Sequence, residues 1–177
     1  VVANYRSRDL PPAPQTDLRC VIAAAQAGAA AWGADPARLV LVGVTWGAVP
    51  AIGEALDGPW KAYAAPVDCR ADTTRTGPAP RGVVGLLGLY DYYDSGGEQS
   101  DAYRTFSPFS QASSAAKVPV RLLQGQPDEV TVTPAAAERL RSALAAGGFW
   151  KSDWGRKSTA TLSVAPLRDV PAAGSST

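Results

Sequence analysis

Uncharged, largely apolar runs recur along the chain at Leu39 to Gly43, Gly82 to Leu89, Val118 to Leu123 (broken by Arg121) and Ala160 to Ala165. The first two, as short continuous apolar runs, suit parallel strands covered on both faces; Val118 to Leu123 reads as another strand and Ala160 to Ala165 as a last one. Val1 to Tyr5 reads as the end of one more strand, followed by a proline-rich surface connection from Arg6 to Pro14. The pattern then changes. Gln15 to Trp32 is dense in alanine and other helix formers, with Thr16 or Asp17 as candidate cap and Gly33 as the stop. Trp46 to Leu56 predicts a short helix with Pro50 in its first turn, where a missing N–H costs little. Thr133 and Pro134 open a helix that runs to Ala146 and is closed by Gly147 and Gly148. Pro66 to Pro80 and Tyr90 to Ser110 have no period and read as loops, the second of a length that suits a lid or binding loop. Strands alternating with helices predict an α/β domain with a mostly parallel sheet flanked by helices.

One junction in this pattern carries chemistry. Arg38 to Ala48 combines a buried strand, a turn Gly43-Val44-Thr45-Trp46-Gly47 and the start of a helix. Two glycines let the backbone bend sharply beside Thr45, and a strand-to-helix turn of this kind lifts a hydroxyl above a sheet, next to helix-start N–H groups. A threonine capping the following helix accounts for the same residue without chemistry. Asp128 lies just past the carboxyl end of the Val118 to Leu123 run, where open α/β sheets place functional groups, although a turn aspartate after Pro127 would look the same. Asp91 and Asp94 invite an acid and base pair, but nothing in the pattern aligns the two on a common element.

Composition narrows the options. A chain of 177 residues, 46% hydrophobic, supports a single domain with a real core, residues 1 to 177. Seventeen basic residues balance sixteen acidic ones without a basic stripe, so neither nucleic acid nor an anionic membrane is indicated as a partner. No apolar run is long enough for a transmembrane span. Cys20 and Cys69 are too few for a zinc centre, and no metal or cofactor is expected; from spacing alone the two form either a disulfide or a pair of buried thiols. The chain has no histidine and no methionine, and it opens with Val-Val in what reads as strand, so either a signal and upstream region have been removed or the chain is a fragment.

The ordered set Val-Val-Ala-Asn-Tyr-Arg at Val1 to Arg6, Gly-Ala-Asp-Pro-Ala-Arg-Leu at Gly33 to Leu39, the Thr45 turn, Gly-Leu-Tyr-Asp at Gly88 to Asp91, Ser107-Pro108 and Gly-Gln-Pro-Asp at Gly125 to Asp128 resembles the α/β-hydrolase family, nearest its esterase and lipase branch. The resemblance runs through about Gly148 and weakens over residues 149 to 177. It implies an α/β-hydrolase fold lacking its first strands, and hydrolysis of a small-molecule carboxylic ester through an acyl-enzyme. It places Thr45 at the nucleophile, Asp128 at the triad acid and the Trp46 amide in the oxyanion hole. Val170, in Pro166-Leu167-Arg168-Asp169-Val170, takes the position of the catalytic histidine. Val44 and Gln124 stand at two other positions where relatives commonly carry histidine.

A hydroxyl is a poor nucleophile until a base takes its proton, so the missing histidine divides the reading. Either the triad has decayed and the fold survives as a binding or structural module, or the residues written at 44, 45, 124 and 170 stand for others, which peptide mass spectrometry decides. Tyr90 and Tyr92, with Trp46, Tyr93, Phe106 and Phe109, are candidates to line the substrate pocket, and ordinary packing explains them equally well. Resemblance to secreted relatives implies a Cys20–Cys69 disulfide and an extracytoplasmic location.

Overall fold

The computed structural model describes residues 1–6, 11–56, 66, 68–71, 78–90, 106–112, 118–125, 134–149 and 160–165. Within them, four parallel strands form one sheet in chain order: β1 Val40–Val44, β2 Gly82–Leu86, β3 Val120–Gly125 and β4 Ala160–Ala165. The register pairs Val44 with Leu86 and Leu86 with Leu123, so these strands end side by side at their carboxyl termini. Among the described residues, four helices accompany the sheet: α1 Ala13–Gly28, α2 Ala48–Ala55, α3 Pro108–Gln111 and α4 Pro134–Leu144. A π-helical turn, Ala145–Phe149, extends α4.

Local sequence explains the punctuation. Alanine-rich α1 tightens into a 3-10 turn over Ala29–Trp32, and Gly33 ends it in the left-handed region at φ 68°, a conformation glycine adopts without cost. Asp35 then accepts a hydrogen bond on Oδ1 from the Ala37 N–H at 2.8 Å, forming the turn that leads into β1. The predicted caps of α1 do other work. Thr16 Oγ1 donates back to the Ala13 carbonyl, and Asp17 receives the Arg6 backbone N–H and its guanidinium at 2.7 to 2.9 Å. That pair ties the amino-terminal segment to α1 and holds the Asp17 carboxyl below its usual range.

The core lies between the sheet and the helices. Leu41, Val83, Val120 and Leu122 pack against Ala48, Ile52 and Leu56 of the α2 region and Ala137, Leu140 and Leu144 of α4, with Leu18 and Ile22 of α1 closing the layer. Leu140 and Leu144 are one turn apart on α4, and Ile52 and Leu56 repeat that spacing. The Cys20–Cys69 disulfide joins α1 to the segment after α2, with a Cα separation of 5.8 Å.

Two expectations need correction. Val1 to Tyr5 is not a strand: β1 pairs only with β2 among the described residues, no ladder partner reaches the segment, and Val2 is 98% exposed. The β1 run is also not covered on both faces. Leu41 faces α2, whereas Val40, Val42 and Val44 are half exposed, Val42 at 60%, because no described element lies over that side.

Candidate active site

The sheet's carboxyl edge contains two backbone conformations that side chains rarely adopt. Thr45 follows β1 at φ 52° and Leu87 follows β2 at φ 46°. Each costs about 1–3 kcal/mol, and for β-branched threonine such a φ is a true outlier that the surroundings must enforce. Three glycines do so. A Cβ on Gly43 would stand 2.5 Å from Ala48 Cα and 2.7 Å from Ala48 N, so only glycine allows β1 and the start of α2 to approach this closely. A Cβ on Gly47 would meet the Tyr5 hydroxyl at 3.3 Å, and one on Gly88 would lie 2.6 Å from Ala48 Cβ and 2.7 Å from Tyr90 Cζ. The Leu89 N–H donates to the Thr45 carbonyl at 3.4 Å, and the Leu87 N–H to the Leu123 carbonyl at 2.8 Å, which ties the ends of β1, β2 and β3 together.

Thr45 therefore sits on a strained elbow at the head of a 3-10 turn, Thr45–Gly47, that runs directly into α2. The Trp46 amide belongs to the group of N–H donors that opens this helical segment, the arrangement that favours an anion or a developing oxyanion. The Trp46 side chain is 48% exposed.

Tyr90 occupies a different place from the pocket wall suggested by the sequence. Its ring is completely buried, wedged against Gly85, Gly88 and the α2 residues Ala48 and Ile52, where it fills the space that the glycines leave open. Burial pushes its phenol up to about 12, so it stays neutral across the physiological range. Tyr90 packs beneath the elbow, and among the described residues Val44, Trp46 and Leu87 offer exposed apolar surface near the strand ends. Phe106 is buried and Phe109 partly exposed on α3.

Val44 lies on the open sheet face, and Gln124, 2% exposed, lies near the carboxyl end of β3. Asp128, Val170 and Tyr92 lie outside the described residues. Two contributors were missed in the sequence. Tyr5 supplies a hydroxyl against Gly47, and the only sequence signal was its place beside Arg6 in the matched motif. Leu87 departs into the left-handed region, which nothing about a leucine between apolar neighbours announces. Among the described residues, no helix is long and apolar enough to cross a membrane.

No protein-family model matches the chain, and no curated protein matches it either. Solved structures do. A truncated carbohydrate esterase from gut microbiota superposes with a TM-score of 0.69 at 16% identity, over 92% of this chain and 64% of that one. The thermophilic esterase Est2 of the planctomycete Thermogutta terrifontis gives 0.67 at 16% identity, over 92% and 56%. An acetyl ester-xyloside bifunctional hydrolase from Caldicellulosiruptor lactoaceticus gives 0.66 at 17% identity, over 93% and 60%. The chain spans 56 to 64% of the length of these structures. The fold is α/β-hydrolase-like, with a parallel sheet flanked by helices.

Proposed function

We propose that this α/β-hydrolase-like chain is an esterase-type hydrolase that cleaves small-molecule carboxylic esters through an acyl-enzyme at Thr45. The observation that carries the reading is the Thr45 backbone at φ 52° between Gly43 and Gly47, a strain that a helix cap would not require. Likeness to structures named as esterases supports it. In this reading Thr45 Oγ1 attacks the ester carbonyl carbon and its proton passes to water, since the chain has no histidine to take it. The carbonyl oxygen gathers negative charge that the Trp46 amide receives as a hydrogen bond. Collapse of the tetrahedral intermediate expels the alcohol, and water then releases the acid from threonine. By resemblance Asp128 stands where the acid of the triad would orient a histidine, and Val170, at the histidine position, supplies no base. The Cys20–Cys69 disulfide supports an extracytoplasmic location.

The chain contains no histidine, and that observation favours a second reading, a binding or structural module that keeps the elbow without turnover. An esterase with Val170 as written retains only the acceleration from oxyanion hole and binding, about 10³–10⁴ over water in serine hydrolases stripped of their triad. Release of p-nitrophenol from p-nitrophenyl acetate by the wild type, Thr45→Ala and Thr45→Ser separates the two. The esterase reading expects slow turnover that Thr45→Ala abolishes and Thr45→Ser, a less hindered hydroxyl, raises. Turnover at the background rate in all three supports the binding module.

A further inference from the structure

We infer that Leu87 is a specificity-determining residue whose side chain forms the wall of an acyl subsite beside Thr45; this rests on the ester-hydrolase reading of the elbow. Three independent features converge on it. Leu87 holds φ 46°, and leucine has no intrinsic tolerance for that region, unlike the glycine or asparagine that would relieve it. Leu87 is 40% exposed at the carboxyl end of the sheet, whereas Leu89, two residues on, is buried. Its position follows the nucleophile's in register: Val44 pairs with Leu86, so Thr45 and Leu87 are the residues that leave the paired ends of neighbouring strands.

The two left-handed residues are also mechanically joined. Leu89 donates to the Thr45 carbonyl and Leu87 donates to the Leu123 carbonyl, while Gly88 lies against Ala48 of α2 and the Tyr90 ring. The chain leaves β2 along a path fixed on both sides, and Leu87 is the residue lifted out of the pleat by that path. A purely structural turn at this point would be better served by glycine. With Trp46 at 48% exposure on the turn that follows Thr45, two exposed apolar side chains on adjacent turns suit the alkyl part of an acyl group.

Binding of 2-alkanones, which carry the carbonyl and alkyl chain of an ester but no leaving group, tests this without turnover. Calorimetric titration of the disulfide-bonded chain with 2-butanone and 2-octanone is compared between wild type, Leu87→Gly and Leu87→Asn, both substitutes being at ease at this φ. The expected result is that both variants keep or raise the melting temperature, that 2-octanone binding weakens about tenfold, the worth of roughly half a buried leucine side chain, and that 2-butanone binding changes little. Equal affinity of all three proteins for 2-octanone overturns the Leu87 assignment and leaves the elbow reading standing. Absence of ketone binding by the wild type overturns both, because no acyl subsite then exists.

Discussion

Replacing Gly43 by alanine tests whether close backbone approach, rather than sequence habit, makes the Thr45 elbow. The added Cβ would lie 2.5 Å from Ala48 Cα and 2.7 Å from Ala48 N, about 1 Å short of ordinary van der Waals contact. Both opposing atoms are backbone, so no rotamer change can clear the space; β1 and the start of α2 must part, and Ile52 and Leu56 move with α2 out of the core. Overpacking costs of 1–3 kcal/mol are typical, and the absence of a side chain able to yield puts this site near about 3 kcal/mol. Gly33 is the control. It has nothing within 4 Å of its Cβ position, so Gly33→Ala suffers only from its φ of 68°, about 1 kcal/mol, and Gly33→Asn should sit near wild type because asparagine tolerates the left-handed region. Urea denaturation of the oxidised proteins, followed by far-ultraviolet circular dichroism, measures each. At this chain length the Gly43→Ala loss corresponds to about 6–12 °C in melting temperature. Equal losses for Gly43→Ala and Gly33→Ala, or a Gly43→Ala protein as stable as wild type, would refute the reasoning.

Reduction, or the double change Cys20→Ser with Cys69→Ser, releases a loop closed across 49 positions; loop-closure entropy puts the loss at about 4 kcal/mol, read as a fall in the denaturation midpoint, and an unchanged midpoint would show that the bridge constrains nothing. Asp17→Asn removes the charge that receives Arg6 and should cost about 1 kcal/mol at pH 7, moderated because Arg6 is half exposed. Since Arg6 lowers the folded carboxyl's affinity for protons, the pair's contribution is full above the unfolded value of about 3.9 and is lost as pH falls through the lower folded one, so wild type and variant should converge in acid. Val170→His should raise p-nitrophenyl acetate turnover by about 10²-fold or more if position 170 holds the base, with the gain appearing above about pH 6.5; a pH-independent rate equal to wild type would remove Val170 from the site.

The parts of this molecule that were legible in its sequence are those that local composition dictates. Ala160 to Ala165 is the last strand at the predicted bounds, and β1 and β3 are displaced by one or two residues from their apolar runs. The glycines around Thr45 marked the elbow because no other residue permits the approach of Gly43 to Ala48. What failed depended on distant partners. An apolar run cannot tell whether an element will cover its second face, so the run Leu39 to Gly43 implies burial of Val40 and Val42, which are half exposed. Val1 to Tyr5 has strand-like residues but no ladder to join among the described residues, and Tyr90, a candidate for the pocket wall or for ordinary packing, is buried, a choice that an aromatic residue near a site does not reveal in sequence. Leu87 was invisible because a backbone torsion leaves no trace in the residue that endures it.

The central claim is that the Thr45 hydroxyl is the reacting group of an ester-cleaving site, and covalent capture tests it most directly. Prolonged exposure of the oxidised chain to a fluorophosphonate, followed by peptide mass spectrometry, should give one adduct on the peptide spanning Arg38 to Ala48, located on Thr45, slow to form and absent from Thr45→Ala. No adduct on Thr45, or an adduct that survives the Thr45→Ala change, would contradict the account.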